Sequence, residues 1–131
     1  MDKDFVNILD CSGDALRALL ERAMAQKAAF KAGRLDACLQ HRTLAMVFEK
    51  PSLRTRVSFE AAMTQLGGHA IYLAPGDIGL GQREPVRDAA RVLGRMCDGI
   101  VARTFAHETV EELARHAPVP VINALSDSAH P

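Results

Sequence analysis

The architecture of this chain depends on one segment, Phe48-Glu49-Lys50-Pro51-Ser52-Leu53-Arg54-Thr55-Arg56-Val57-Ser58-Phe59-Glu60. It follows the apolar run 43–48, which is typical of a buried strand, and Pro51 marks the end of that strand. Apolar residues then recur at the spacing of one helical face, at Phe59, Ala62, Met63 and Leu66, before Gly67-Gly68. The segment therefore predicts a turn from a strand into a helix over residues 52–66.

The first turn of this helix carries the side chains of an anion site. Ser52, Arg54 and Thr55 supply hydroxyl and guanidinium donors, and a helix start adds free N–H groups and the positive end of the macrodipole. The turn contains no glycine, which argues against a Walker loop or a dinucleotide fingerprint. The alternative is an ordinary helix cap with solvated arginines, in which Arg56 pairs with Glu60.

The rest of the chain alternates strands with helices. Strands are predicted at 43–48, 69–73, 99–104 and 119–125, and helices at 12–33, 52–66, 85–97 and 107–116. A glycine-rich loop at 76–84 is either a flexible connection or a lid or subunit contact. The alternation predicts an α/β fold, a three-layer doubly wound parallel sheet of about four strands with helices on both faces.

Two of these helices have a clear apolar face. The helix capped by Ser12 has apolar residues at Leu16, Leu19, Leu20, Ala23 and Phe30. The helix that begins at Pro85 has Val86, Ala89, Ala90, Leu93, Met96 and Cys97 on one face. We expect these faces to point toward the sheet.

Polar residues follow the carboxyl ends of three predicted strands. The 52–55 turn follows the first strand, Arg103 and Thr104 end the third, and residues 126–130 follow the fourth. Ligands of parallel sheets bind at this edge, where Arg103 would bridge a phosphate and a neighbouring carbonyl group. A snorkelling arginine and a surface imidazole at His130 are the alternatives.

Composition excludes several classes of protein. The 131 residues are 48% hydrophobic, which suits one domain, and 16 basic residues balance 16 acidic ones, so neither nucleic acid nor a membrane surface is an expected partner. No apolar run approaches the roughly 20 residues that span a bilayer, and Met1-Asp2-Lys3-Asp4 does not begin a signal peptide. We expect a cytoplasmic protein. The cysteines and histidines lack metal-ligand spacing, so no metal and no cofactor is expected.

The 48–60 segment closely resembles the carbamoyl-phosphate signature of the aspartate and ornithine carbamoyltransferases. Further matches resemble the ornithine branch: Gln65-Leu66-Gly67-Gly68-His69-Ala70, Leu80-Gly81 with Glu84, Ala90-Arg91-Val92-Leu93, Arg103-Thr104-Phe105, Val119-Pro120-Val121-Ile122-Asn123 and His130-Pro131. The resemblance implies that residues 1–131 are an amino-terminal carbamoyl-phosphate-binding domain without the ornithine-binding carboxy-terminal domain. It also implies a homotrimer with sites shared between neighbours.

The resemblance also implies roles for individual residues. Ser52, the Leu53 backbone, Arg54 and Thr55 would hold the phosphate. Arg103 would reach the phosphate and the carbamoyl group, and His130, followed by Pro131, would bond the carbamoyl oxygen. In the family the δ-amino group of L-ornithine attacks the carbamoyl carbon, giving L-citrulline and phosphate in arginine metabolism. The implied catalytic residues are Arg54, Arg103 and His130.

Three features depart from the family pattern. Leu53 replaces a threonine, and Gly79 stands where many relatives have a glutamine that reaches a neighbouring site, with Gln82 nearby but out of register. The amine-binding residues are missing, so we expect weak binding of carbamoyl phosphate and no turnover by this chain alone. The alternatives are a noncatalytic binding or assembly module and a related carbamoyltransferase with another amine substrate.

Overall fold

The computed structural model describes residues 3–34 and 36–131. The strands are β1 Thr43–Phe48, β2 His69–Leu73, β3 Gly99–Arg103 and β4 Val121–Asn123. The helices are α1 Gly13–Lys31, α2 Leu53–Gln65, α3 Pro75–Ile78, α4 Val86–Met96 and α5 His107–His116, and a 3-10 turn spans Ile8–Asp10. No helix of the described residues is long and apolar enough to cross a membrane.

The four strands form one parallel sheet in the order β2-β1-β3-β4. Strand β1 lies in the interior of the sheet, where Ala45 is in register with both Ile71 and Ile100. Leu44 to Phe48 are all buried, as expected of a strand that is covered on both faces. At the carboxyl end of β1, Phe48 is in register with Arg103, which brings the ends of β1 and β3 side by side.

Apolar side chains cover both faces of the sheet. On one face Ala45, Val47 and Ile100 pack with Ala90 of α4 and Leu113 of α5. On the other face the cluster consists of Leu44, Met46, Phe48, Met63, Val101 and Ala124, with Phe59 of α2 packed against it. This confirms the predicted α/β fold with helices on both faces. An apolar groove of about 760 Å³ remains beside α2, at the amino ends of β1 and β3.

The predicted apolar faces are only partly packed. No residue of α1 is buried, and Leu20 and Met24 are each 63% exposed. Spacing predicts which residues share a helical face, but it does not supply the partner that covers them. In α4, Val86, Ala89 and Ala90 are buried as predicted, whereas Met96 is 74% exposed. Met96 is the last residue of the helix and lies about 80° around its axis from Val86, at the margin of the buried stripe.

Several element boundaries differ from the sequence prediction. Helix α4 begins at Val86 with Pro85 as its N-cap, and β4 covers only Val121–Asn123 because pairing with β3 extends over three residues. Part of the glycine-rich loop forms the short helix α3. Its C-cap residue, Gly79, is in the left-handed conformation with φ of 63°. The Gly81 N–H then donates to the Glu84 carbonyl at 2.8 Å, so this loop is folded back on itself.

Asp98 ties the amino ends of β1 and β3 together. Its carboxylate accepts from the Thr43 N–H at 2.9 Å and from Arg42 Nη1 at 2.7 Å. The bond from Thr43, and then the one from Arg42, hold the pKa of Asp98 below its ordinary value. Because the folded-state pKa is lowered, the stabilisation is present above the unfolded-state pKa and is lost as the pH falls through the folded-state pKa.

We therefore expect Asp98→Asn to lower the free energy of unfolding at pH 7, by an amount that shrinks as the pH falls below about 4. Urea denaturation over a pH series measures this difference. Arg42→Gln should retain most of the pH dependence, since the backbone N–H of Thr43 is the larger cause. A difference between wild type and Asp98→Asn that is constant from pH 7 to pH 3 would contradict the expectation.

Candidate anion-binding site

A pocket of about 510 Å³ lies at the carboxyl ends of the strands. It is lined by Ser52, Leu53, Arg54, Thr55, Arg103, Leu125 and His130. Six of these were singled out from the sequence, and they meet because parallel strands present their carboxyl ends at the same edge. Pro131 is not among the described residues that line the pocket, and Leu125 was not anticipated.

The start of α2 forms one wall of the pocket. Ser52 is the N-cap residue, in extended conformation at φ −157° and ψ 112°, but its hydroxyl makes no capping hydrogen bond. The Arg56 N–H is bonded to the Ser52 carbonyl at 3.2 Å, and the N–H groups before it have no acceptor within the helix. The Ser52 hydroxyl therefore does not cap α2 as in the ordinary-cap alternative, and it stays available for a ligand.

Arg103 forms the opposite wall. Its Nη1 atom donates to Thr55 Oγ1 at 3.1 Å and to the Ala124 carbonyl at 3.3 Å. Its Nε atom is buried and has no hydrogen-bond partner among the residues that the structure describes. The side chain therefore does not snorkel outward at the sheet edge. A buried donor without an acceptor is costly, so an anion beside Arg103 would satisfy it.

Arg54 and Arg56 have different surroundings although they are two residues apart. Arg54 lines the pocket. Arg56 donates from Nε to Glu60 Oε1 at 3.3 Å, and its guanidinium carbon lies 3.7 Å from the centre of the Tyr72 ring. The predicted alternative of an Arg56–Glu60 pair therefore describes Arg56 correctly.

Glu49 and Lys50 hold the turn after β1 in place. Glu49 Oε2 accepts from the Phe105 N–H at 2.8 Å, and the Glu49 N–H donates to the Arg103 carbonyl at 2.8 Å. Lys50 Nζ lies 5.2 Å from the centre of the Phe105 ring. Neither residue is among the described residues that line the pocket, so both support the turn rather than the ligand.

Leu125 is the pocket residue that the sequence did not indicate. Its φ angle is 128°, a region that a leucine rarely adopts and that costs about 1–3 kcal/mol. Two hydrogen bonds hold it there: its N–H donates to Asn123 Oδ1 at 2.9 Å, and its carbonyl accepts from the Thr104 N–H at 3.0 Å. The strained residue redirects the chain after β4, and no residue type in the sequence signals it.

The chemistry of the lining suits a small anion. Two guanidinium groups, two hydroxyl groups and an imidazole surround the pocket, and no carboxylate is among its described lining residues. In the described part of the chain no three His, Cys, Asp or Glu residues are grouped so that they could hold a metal ion. The geometry suits a tetrahedral anion at the helix start, with further polar groups of the same substrate between Arg103 and His130.

Comparison with known proteins identifies the family of this chain. The family described as "Aspartate/ornithine carbamoyltransferase, carbamoyl-P binding domain" matches residues 3–131. Ornithine carbamoyltransferase of Halorhodospira halophila is 53% identical over 98% of this chain and 43% of its own length. The anabolic ornithine carbamoyltransferase of Pseudomonas aeruginosa is 51% identical over 98% of this chain and 42% of its own length.

A solved structure shows the same architecture. The ornithine carbamoyltransferase from Pyrococcus furiosus superposes with a TM-score of 0.96 at 48% identity, covering 98% of this chain and 41% of that chain. The present chain thus spans less than half the length of the relatives it matches. The matches confirm the resemblance that the sequence motifs indicated. The chain belongs to the family of aspartate/ornithine carbamoyltransferase carbamoyl-P binding domains.

Proposed function

We propose that this chain binds carbamoyl phosphate in the pocket between the start of α2, Arg103 and His130. In doing so it provides one half of a site that transfers the carbamoyl group to L-ornithine, giving L-citrulline and phosphate. The observation that carries the proposal is the buried Nε atom of Arg103, which has no acceptor among the described residues and belongs to a side chain that lines the pocket with the start of α2 and His130. Relatives about 50% identical over nearly the whole chain bear the name ornithine carbamoyltransferase, which supports the choice of amine.

In this proposal the phosphate binds at the first turn of α2. Ser52, Arg54 and Thr55 donate from their side chains, and Leu53 donates only its backbone N–H. Leu53 lines the pocket, and it is 78% exposed. The macrodipole of the 13-residue α2 adds attraction for the phosphate dianion.

The reacting carbonyl group then lies between Arg103 and His130. As the amine attacks the carbamoyl carbon, negative charge grows on the carbonyl oxygen, and donors already aimed at that oxygen stabilise the charge without reorganisation. Arg103 also binds the phosphate, so it stabilises the leaving group as the C–O bond breaks. Pro131 restricts the backbone directly after His130.

The wider context of the proposal comes from the resemblance. Residues 1–131 would be the carbamoyl-phosphate-binding domain, L-ornithine would bind largely to residues outside this chain, and the full enzyme would be a cytoplasmic homotrimer in arginine metabolism. Without residues that hold the amine, the chain alone should not turn over, and appreciable citrulline formation by the 131-residue chain would contradict this part of the proposal.

The binding site can be tested with two arginines that carry the same charge. Arg54→Gln removes a pocket donor, so we expect it to weaken binding of carbamoyl phosphate by about tenfold or more. Arg56→Gln removes the same charge two residues away, where the guanidinium contacts Glu60 and Tyr72, and should change the affinity little. Calorimetric titration of the chain with fresh carbamoyl phosphate measures both.

The control separates a local site from a general charge effect. Equal weakening in Arg54→Gln and Arg56→Gln would contradict direct contact with Arg54. Failure of the wild-type chain to bind carbamoyl phosphate would instead favour a noncatalytic assembly module. A related enzyme with another amine substrate would bind carbamoyl phosphate in the same way, and it is distinguished by testing amines with the full-length protein.

A further inference from the structure

We propose that His107 is a positioning residue for His130, acting through the hydroxyl group of Ser126. The inference rests on the proposed function, since it concerns the residue that faces the carbamoyl group. His107 lines a different cavity of about 610 Å³, together with Asp4, Asp10 and Arg115, and is not among the described residues of the anion pocket. It therefore acts on the bound substrate only through the turn that carries His130.

Ser126 is the centre of this turn. It is 4% exposed, and its N–H donates to the Ala129 carbonyl at 2.9 Å. Its Oγ atom accepts from the Ala129 N–H at 3.2 Å and lies 2.7 Å from His107 Nδ1, whereas the two protons of Asn123 Nδ2 are closer to the Val6 and Ala129 carbonyls, at 3.0 and 3.1 Å. The turn 126–129 is thus closed by bonds that meet at one hydroxyl group, and His130 follows directly.

The direction of the shortest bond follows from counting donors and acceptors. The Ala129 N–H donates to the Ser126 hydroxyl, whose own proton can go to His107 Nδ1 at 2.7 Å or to the Ala129 carbonyl at 3.2 Å. That carbonyl already accepts from the Ser126 N–H and from Asn123 Nδ2 at 3.1 Å. The hydroxyl therefore donates to Nδ1. The ring proton is then on Nε2, which lies 3.7 Å from Glu111 Oε1.

The imidazole of His107 is fixed to a rigid element. His107 is the first residue of α5, which is packed on the sheet through the fully buried Val110 and Leu113. Its backbone N–H donates to Asp127 Oδ1 at 3.0 Å, so the backbone and the ring of His107 both bond to the turn 126–129. Nδ1 is consequently a fixed acceptor, and the Ser126 hydroxyl sets the position of residues 126–129 relative to α5. Without this acceptor the buried hydroxyl keeps only the Ala129 carbonyl at 3.2 Å, which already accepts two other hydrogen bonds, beside the segment that carries His130.

A matched pair of substitutions, His107→Asn and His107→Leu, isolates the acceptor. Asparagine and leucine both branch at Cγ and have similar size. The amide oxygen of the asparagine would accept the Ser126 proton where Nδ1 does, whereas the leucine offers no acceptor. Both variants retain the backbone N–H that donates to Asp127. A role of the ring in packing alone would make the two variants behave alike, so rescue by asparagine identifies the hydrogen bond.

The experiment measures amide hydrogen exchange at Ser126 and Ala129, whose N–H groups are both bonded within the turn, and the affinity for carbamoyl phosphate, all in the 131-residue chain. We expect His107→Leu to exchange about tenfold faster at these amides and to bind about tenfold more weakly, and His107→Asn to match wild type in both. Wild-type exchange and affinity in His107→Leu would overturn the proposal. Equal losses in the two variants would do so too, as would faster exchange with unchanged affinity.

A second variant and a readout that is independent of ligand binding complete the test. If His107→Leu does not fold, His107→Ala removes the same acceptor without adding bulk and should give the same tenfold changes, whereas wild-type exchange in His107→Ala would overturn the proposal. If the wild-type chain binds no carbamoyl phosphate, the proposed function fails, and exchange at Ala129 in the asparagine and leucine variants still decides whether the hydrogen bond positions the turn.

Discussion

Replacing Arg103 with methionine should weaken binding of carbamoyl phosphate by about 100-fold or more. Arg103 is the single side chain that contacts both the α2 wall, through Thr55, and the chain after β4, through the Ala124 carbonyl, among the hydrogen bonds of the described residues. Its loss therefore removes the guanidinium donors of the wall opposite α2 and the bonds that join the two sides of the pocket. Calorimetric titration, as for Arg54→Gln, measures the change.

The same substitution should not destabilise the fold. The ion pairs among the described residues do not include Arg103, so its half-buried charge is balanced only by neutral acceptors, and its Nε is unsatisfied. Replacing such a group with an apolar side chain of similar length removes a desolvation cost. We expect an unchanged or higher melting temperature for Arg103→Met together with lost binding, which is the signature of a residue retained for its ligand.

Arg95→Met serves as the control, because Arg95 is exposed near the end of α4 and carries the same charge. It should leave the affinity close to wild type. Affinity within a few-fold of wild type in Arg103→Met, or a loss of affinity that is explained by unfolding, would contradict the role given to Arg103.

The largest effect on stability is expected for Gly94→Ala. In an exposed helix this change would stabilise by up to about 1 kcal/mol. In α4 the new methyl group would lie 2.4 Å from Cδ and 2.8 Å from Cγ of Pro118, atoms of a rigid ring that cannot rotate away. Helix α4 or the 117–120 connection must then shift, and we expect a loss of about 1–3 kcal/mol in the free energy of unfolding.

Denaturant unfolding of Gly94→Ala, compared with Gly13→Ala, checks this expectation. Gly13 is the first residue of α1, and no atom of the described residues would lie within 4 Å of its new methyl group. Gly13→Ala should therefore change stability little. A Gly94→Ala protein as stable as wild type would contradict the expectation, since it would show that Pro118 moves aside without a measurable loss of stability.

The order and type of the main elements were predictable because they depend on local patterns. The apolar run at β1 and the 3.6-residue spacing in α4 are properties of consecutive residues. Boundaries were less predictable: β4 is three residues long because its pairing with β3 ends at Asn123. The exposure of α1 was not predictable either, since a helical face has to be covered by something that is distant in sequence.

Six of the seven described residues that line the anion pocket could be predicted from the sequence. Ser52, Arg54, Thr55, Arg103 and His130 each follow or end a predicted parallel strand, and parallel strands end at a common edge. The family signature pointed to the same residues. These inferences needed only the order of the elements and the chemistry of the side chains.

The different surroundings of these residues depend on contacts between segments that are distant in the sequence. Arg54 and Arg56 are the same residue type two positions apart. The Arg56 guanidinium stacks on Tyr72 of β2, whereas Arg54 lines the pocket. Leu125 and His107 acquire their roles from a strained φ angle and from a hydrogen bond to Ser126 across 19 residues. Such contacts depend on distances between segments that are far apart in the chain, and a local pattern of residues carries no information about those distances.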